Sequence, residues 1–354
     1  MQNIPEINFE EMSGRDGNIG IITLNRPGVL NALNHAMFLA ISHQLSEWES
    51  ADHIKAVVIK AAEGRAFCAG GDIRYTYERK HSGDANLIHF FRDEYLMNYH
   101  IYHYKKPYIA LLDGITMGGG AGISINGSHR IGTDKLTFAM PETGIGFYPD
   151  VGATFFLSRL PYKMGFYLGL SGASISADDC LAAGLIDAIV KSADFPDILY
   201  QLADHTFSEE PNQDVSHIIK SFAMTPIQSQ LFDQRNPIAI CFARDTIEEI
   251  IDSLEHYPND WCLMAAKAIK KQSPTSLKVT LKALQKSEIL EFDECMKMEY
   301  RLTSRFLERH DFFEGIRATL IDKDRQPRWN PATLHEVSGK SVNAYFDPLE
   351  QELF

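Results

Sequence analysis

The amino-acid sequence predicts an α/β fold that continues into a helical C-terminal region. Short strands rich in β-branched residues alternate with longer helical segments over the first 200 residues or so, and this alternation is typical of α/β proteins. Beyond about residue 200 the strand pattern stops. We therefore predict an α/β domain over residues 1–205 and a helical region over residues 206–354.

Three short apolar runs predict buried strands in the first region. They lie at residues 19–24, 55–60 and 108–112. Each is rich in Ile, Val or Leu, and runs of this length and composition are typical of strands with little exposed surface. The first run ends at Asn-Arg-Pro-Gly, residues 25–28, which is a turn signal.

Longer segments predict helices. Residues 35–51 carry apolar side chains at helical spacing, and residues 86–104 form a polar and aromatic stretch of helical length. In the C-terminal region, Ser273 followed by proline is a typical helix start, because serine caps the first turn and proline fits its first position. A further helix is predicted over residues 292–310.

The charge and cysteine content exclude several classes of function. A net charge of −13 argues against nucleic-acid partners and anionic membranes, because both are negatively charged. No apolar run approaches the roughly 18 residues that cross a bilayer. Five cysteines without metal-ligand spacing favour reduced thiols and no metal site. Residues 1–11 contain no Lys or Arg, so we expect no targeting segment and a cytoplasmic location.

Two glycine-rich segments follow predicted strands. Residues 67–72 contain the pair Gly70–Gly71, and residues 113–122 contain a run of three glycines that includes Gly119. Glycine lets the backbone approach a ligand, so an N–H group in each segment could stabilise a negatively charged carbonyl oxygen. The alternatives are an ordinary turn in the first segment and close helix–strand packing in the second. The second segment lacks the G-x-G-x-x-G spacing of dinucleotide-binding turns.

A third segment places two carboxylates among Pro, Gly and aromatic residues. Glu142 and Asp150 lie within residues 140–152. Such surroundings can desolvate a carboxylate and raise its pKa, which suits acid–base or nucleophilic work. The alternative is a solvated Glu142 and an Asp150 that caps the helix after it.

Other candidate residues have simpler explanations. Cys68 could be a nucleophile, but a buried and inert cysteine is the more common case. His100 and His103 are predicted to lie on an aromatic or exposed helix face. The nucleophile motif G-x-S-x-G is absent, because residues 122–126 lack the final glycine.

The order and spacing of the three segments resemble the crotonase superfamily of acyl-CoA enzymes. The resemblance extends from about Gly20 to Val190. It implies a spiral of ββα units, followed by helices that pack on the core or on a neighbouring subunit, and hence a possible homo-oligomer. It also implies that the N–H groups of Gly71 and Gly119 bind the thioester oxygen.

The C-terminal region is similar to the 3-hydroxyisobutyryl-CoA hydrolase branch of this superfamily. The similar segments are residues 273–278, 298–301, 310–318 and 322–331. The resemblance implies hydrolysis of a short 3-hydroxyacyl-CoA in valine degradation, with Glu142 and Asp150 at the acyl end and Glu78 as a further substrate-contacting acid. Coenzyme A is then part of the substrate rather than a cofactor, and no metal is implied.

One position favours the hydrolase branch over the hydratases. Hydratases of the superfamily hold a water molecule between two glutamates. Glu142 matches the second glutamate, whereas Gly122 stands in the place of the first, and glycine cannot transfer a proton. An enoyl-CoA hydratase or isomerase remains the alternative enzyme, and a non-catalytic or RNA-binding protein is the alternative of another class. Candidates for contact with the CoA phosphates are Arg26, Arg65 and Arg74.

Overall fold

The computed structural model describes residues 5–83 and 86–354 of the chain, in two units. The first unit contains residues up to Gly71, Leu96–Phe138 and Ile175–Ser229; the second contains Asp72–Tyr95, Ala139–Ser174 and Gln230–Phe354. All described strands precede residue 191, so the predicted α/β class with a helical C-terminal region is confirmed. The division at residues 205 and 206 stays a prediction.

The first unit is built on a six-stranded sheet with the order β1-β2-β3-β5-β7-β10. Strand β1 is antiparallel to β2, and the remaining neighbours are parallel. Three of these strands match the predicted runs. The six strands are β1 (Ile7–Met12), β2 (Asn18–Leu24), β3 (Ile54–Ala61), β5 (Tyr108–Leu112), β7 (His129–Thr133) and β10 (Ala188–Val190).

Helices cover this sheet because its inner strands, such as β2, β3 and β5, are apolar on both faces. One face packs against α8 (Phe195–Asp204) and α9 (Pro211–Phe222), which contribute apolar side chains such as Leu202 and Ile219 to the core. Helix α1 (His35–Ser50) buries its apolar stripe, as its helical spacing predicts. The ring of Trp48 leaves no room for a side chain at Gly20.

A second, four-stranded sheet has the order β4-β6-β8-β9. Its strands are two or three residues long, so an alternation of apolar and polar residues cannot be detected in the sequence. Strands β4 and β6 are parallel neighbours. The four strands are β4 (Ala66–Cys68), β6 (Ile115–Met117), β8 (Thr137–Ala139) and β9 (Ile175–Ser176).

The second unit is helical in its described residues. Ser273 caps helix α14 through its hydroxyl, as predicted. The predicted helix over residues 292–310 is instead two helices, since α15 ends at Phe306 and α16 begins at His310. The remaining helices of the chain are α2 (Ile73–His81), α3 (Leu87–Tyr102), α4 (Gly119–Gly122), α5 (Ala153–Ser158), α6 (Met164–Ser171), α7 (Ala177–Ala183), α10 (Gln230–Asp233), α11 (Arg235–Cys241), α12 (Ile247–His256), α13 (Asp260–Ile269), α14 (Pro274–Ser287), α15 (Phe292–Phe306), α16 (His310–Ile316) and α17 (Gly339–Ala344).

Helix α16 packs directly against the turn that carries Glu142. A Cβ atom on Gly315 of this helix would lie 2.1 Å from the carbonyl oxygen of Ile145. A Cβ atom on Gly146 would lie 2.2 Å from the carbonyl oxygen of Asp311. The two backbones therefore touch, and a side chain at either glycine would force them apart.

Candidate active site

The two glycine-rich segments meet in the first unit. Because β4 and β6 are parallel neighbours, the turns that follow them lie at the same edge of the sheet. A Cβ atom on Gly70 would lie 3.6 Å from the amide nitrogen of Gly119, and one on Gly120 would lie 2.3 Å from the carbonyl oxygen of Cys68. This close packing requires glycine at position 120.

The amides of Gly71 and Gly119 remain available at this junction. Gly71 is half-buried and pairs with Leu33 in an isolated parallel bridge, while Gly119 is the first residue of the short helix α4. Among the described residues, neither amide donates a backbone hydrogen bond. The positive φ angles fall on the residues before them, Gly70 at 114° and Gly118 at 51°. Two N–H groups without backbone partners are what a thioester oxygen needs.

Glu142 is a buried carboxylic acid in the second unit. It begins a short 3₁₀ turn after Pro141, and only 6% of its surface is exposed. Its Oε2 atom has no hydrogen-bond partner within the part of the chain that the structure describes. Burial raises the pKa of Glu142 well above its ordinary value, and the nearby charge of Asp150 raises it further. The alternative of a solvated Glu142 is therefore wrong.

Asp150 lies close to Glu142 and is buried as well. Burial raises the pKa of Asp150 to about 7, and this is opposed by a hydrogen bond of 2.6 Å from the Tyr95 hydroxyl to Asp150 Oδ2. The carboxylate does not cap helix α5, whose N-cap residue is Gly152. A group with a pKa near 7 can both accept and donate a proton at neutral pH.

Several residues around this pair were missed in the sequence analysis. Glu94 of α3 is 3% exposed, and its pKa is raised well above the ordinary value by burial and by the charges of Asp150 and Glu142. It shares one helix face with the buried Phe90 and Phe91. An acid on the apolar stripe of a helix is a signal that the sequence contains, because the cost of burial makes it uncommon.

A fourth buried acid holds the backbone next to Asp150. The carboxylate of Glu299, on α15, accepts hydrogen bonds from the amides of Gly152 and Thr154 and from the Thr154 hydroxyl. Burial raises its pKa to about 8. These bonds anchor a turn in which Val151 has a φ of 58°, an unfavourable angle for a β-branched residue.

The buried acids predict a specific pH dependence of stability. The Asp150 carboxyl has a pKa of about 7 in the folded chain against an ordinary 3.8, so the native state binds more protons than the unfolded state between these values. The contribution of Asp150 to the unfolding free energy therefore decreases as pH rises through that window. We expect the melting temperature of Asp150→Asn, relative to the unsubstituted protein, to increase between pH 4 and pH 8. A difference that is constant with pH would contradict the raised pKa.

The other predicted residues lie elsewhere or have structural partners. Glu78 is exposed on α2, and its predicted contact with the substrate stays a prediction. Cys68 is buried and accepts a hydrogen bond from the Gly70 amide. His100 Nε2 lies 3.5 Å from the carboxylate oxygen Oε2 of Glu49, and the ring of His103 packs against that of Tyr99.

The three arginines proposed to contact the CoA phosphates differ in their contacts and exposure. Arg26 pairs with Glu6 at 2.9 Å, and Arg74 donates to the carbonyl of Leu320 at 2.8 Å. Arg65 is exposed.

The described residues contain no group of three or more His, Cys, Asp or Glu side chains that could bind a metal ion. No described helix is long and apolar enough to cross a membrane.

Comparisons with known proteins identify the family. The model of the enoyl-CoA hydratase/isomerase family matches residues 19–346. The 3-hydroxyisobutyryl-CoA hydrolase of Rattus norvegicus mitochondria is 42% identical, over 96% of this chain and 89% of its own length. The mitochondrial 3-hydroxyisobutyryl-CoA hydrolase of Homo sapiens is 39% identical, with the same coverage of both chains.

Solved structures match the fold, and two of them are similar over nearly the whole chain. A carnitinyl-CoA dehydratase from Mycobacterium thermoresistibile has a TM-score of 0.90 and 36% identity, with 99% of this chain and 98% of that chain covered. An enoyl-CoA hydratase from Rhodobacter sphaeroides has a TM-score of 0.88 and 36% identity, with coverage of 98% and 99%. The predicted crotonase-like fold is thereby confirmed. The chain belongs to the enoyl-CoA hydratase/isomerase family, which is the family that its glycine-rich turns and its Glu142 segment predict.

Proposed function

We propose that the protein hydrolyses short 3-hydroxyacyl-CoA thioesters, 3-hydroxyisobutyryl-CoA foremost, to the free acid and CoA. The observation that carries the proposal is the buried pair Glu142 and Asp150, in which one oxygen of Glu142 has no partner among the residues that the structure describes. Similarity to 3-hydroxyisobutyryl-CoA hydrolases over nearly the whole chain supports the choice of reaction and acyl group.

In the proposed mechanism, the N–H groups of Gly71 and Gly119 bind the thioester oxygen. Each such donor stabilises the tetrahedral intermediate by about 3–4 kcal/mol. Glu142 either attacks the carbonyl carbon, forming a mixed anhydride that water then hydrolyses, or removes a proton from the attacking water. The C–S bond breaks, and the CoA thiolate takes up a proton. Asp150 is suited to supply that proton because its pKa is about 7.

The proposal is tested by measuring thiol release from a panel of acyl-CoA esters. The panel contains 3-hydroxyisobutyryl-CoA, 3-hydroxypropionyl-CoA, isobutyryl-CoA and acetyl-CoA, and hydration of crotonyl-CoA is measured beside it. We expect the fastest thiol release from the 3-hydroxy esters. Rapid hydration of crotonyl-CoA without thiol release from any ester would overturn the proposal.

Hydration is the second candidate, because the two similar solved structures described above are a dehydratase and a hydratase by name. Gly122 argues against it. This residue is buried in α4, and its carbonyl oxygen accepts a 2.9 Å hydrogen bond from Asn126. A glycine there supplies no second carboxylate for the two-glutamate hydration mechanism.

Restoring that carboxylate tests the choice between the two reactions. In the proposed mechanism, Gly122→Glu introduces a negative charge at the acyl end of the site, where it opposes ionisation of Glu142. We expect hydrolysis to fall on the order of 10-fold or more, because about 1.4 kcal/mol of repulsion against the ionised Glu142 corresponds to a factor of ten. Gly122→Gln is the control for bulk, and circular dichroism checks folding. A folded Gly122→Glu that hydrolyses as well as the unsubstituted protein would show that position 122 does not face the acyl group.

The cysteines and the names of the relatives bear on where in the cell the protein is located. All five cysteines are free and buried, which suits a reducing compartment. The curated hydrolases that match are mitochondrial proteins by name. We propose a reducing compartment of the cell, of which the cytoplasm is the prediction made from the sequence, and localisation of the tagged protein tests it.

A further inference from the structure

Three hydroxyl groups form a buried chain that begins at Asp150. The Tyr95 hydroxyl donates to Asp150 Oδ2 at 2.6 Å. Thr303 Oγ1 lies 2.6 Å from Tyr95 Oη and 2.8 Å from Tyr148 Oη. The chain ends where the Tyr148 hydroxyl donates to the carbonyl oxygen of Glu299 at 2.5 Å. All of these side chains are buried, so the groups must satisfy one another.

The number of hydrogens shows that these three hydroxyl groups can form hydrogen bonds with either protonation state of Asp150. When Asp150 is ionised, Tyr95 donates to it, Tyr148 donates to the Glu299 carbonyl, and Thr303 donates to one of the two phenols. When Asp150 is protonated, it can donate to Tyr95, Tyr95 to Thr303 and Thr303 to Tyr148. Each of the four contacts then contains one hydrogen. Only the Tyr95 and Thr303 hydroxyls need to rotate between the two states.

Building on the proposed function, we propose that Tyr95 is a positioning residue for Asp150, and that Tyr95 and Thr303 form a hydroxyl switch that stabilises both the carboxylate and the carboxylic acid. A residue that gives up a proton and regains it in every turnover needs a partner for each form. The switch supplies both without movement of the backbone.

Asp150 is buried among three other acids, so its carboxylate form needs a hydrogen-bond donor. Glu94 on α3, Glu142 on its turn and Glu299 on α15 all interact unfavourably with a charged Asp150. Burial raises the pKa of Asp150, and the Tyr95 hydroxyl is the side-chain donor that lowers it. A hydrogen bond to a charged group is stronger than one to its neutral form, so loss of this hydroxyl disfavours the carboxylate more than the acid.

Two variants should move the titration of Asp150 in opposite directions. In Tyr95→Phe the carboxylate loses its donor, so the midpoint should rise by about one pH unit or more. In Thr303→Val the ionised form loses no acceptor. The acid form, however, leaves the Tyr95 hydrogen only the Tyr148 hydroxyl as an acceptor, at 3.4 Å instead of the 2.6 Å to Thr303 Oγ1, and so weakens this hydrogen bond. The midpoint should therefore fall.

The experiment measures the Asp150 carboxyl directly by ¹³C NMR in protein labelled at aspartate, with Asp150→Asn to assign the resonance. Tyr104→Phe is the matched control, because it removes a phenol that donates to the carbonyl of Leu45. Melting curves check that each variant folds. An unmoved midpoint in Tyr95→Phe, or a rise in Thr303→Val, would overturn the switch. If Tyr95→Phe does not fold, the fall in Thr303→Val alone decides.

The same variants are then assayed for hydrolysis of 3-hydroxyisobutyryl-CoA. We expect kcat/KM to fall on the order of 10–100-fold in Tyr95→Phe, and little in Tyr104→Phe. Full activity in Tyr95→Phe with a raised midpoint would overturn the positioning role. If the unsubstituted protein releases no thiol, the proposed function is wrong, while the titration still decides the switch.

Discussion

Replacing Glu142 with alanine is expected to lower kcat by on the order of 10²-fold or more. In the proposed mechanism, the substitution removes the carboxylate that attacks the thioester or activates water. The free energy of unfolding should change little. The side chain is a buried acid, and one of its oxygens has no hydrogen-bond partner among the described residues, so its removal breaks no satisfied network.

Two further variants make the Glu142 result specific. Glu142→Gln keeps the shape of the side chain and removes its basicity, so we expect it to be as inactive as the alanine variant. Glu308→Ala removes an exposed acid of the second unit and should leave turnover unchanged. A folded Glu142→Ala with near-normal kcat would remove Glu142 from the mechanism.

The second large effect is expected from the amide of Gly119. Gly119→Pro deletes the N–H group and keeps the backbone, since Gly119 is the first residue of α4 and proline fits that position of a helix. We expect kcat/KM to fall by about 10²–10³-fold, the typical effect of losing one oxyanion donor.

Gly119→Ala is the matched variant for this experiment. It adds a side chain and retains the N–H group, so the ratio of the two rates isolates the hydrogen bond. Gly71→Val tests the other turn by crowding it. Circular dichroism must show native structure in each variant. Equal activity of folded Gly119→Pro and Gly119→Ala would exclude this amide as a donor.

The strands of the larger sheet and the candidate site residues could be predicted because both leave local signals in the sequence. The runs that became β2, β3 and β5 are continuous and apolar, and glycine-rich turns follow β4 and β6. The second sheet was not predictable, because a strand such as β9 has two residues and is defined only by its neighbours.

The residues that surround Asp150 could not be predicted from the sequence, for a different reason. Tyr95 and Thr303 are far apart in the chain, and each alone looks like an ordinary core residue of a helix. Their role appears only when the fold brings both hydroxyls within 2.6 Å of each other. The substrate contact of Glu78 rests on the family pattern alone and stays a prediction, since this side chain is exposed on α2.

The contact between Gly146 and Gly315 has a consequence for how this protein can vary. The turn that carries Glu142 and helix α16 share a volume that admits no side chain from either backbone. A substitution at either position therefore changes the geometry of both segments. A chimera that receives this region from a relative should remain active only when the incoming helix has glycine at the position of Gly315.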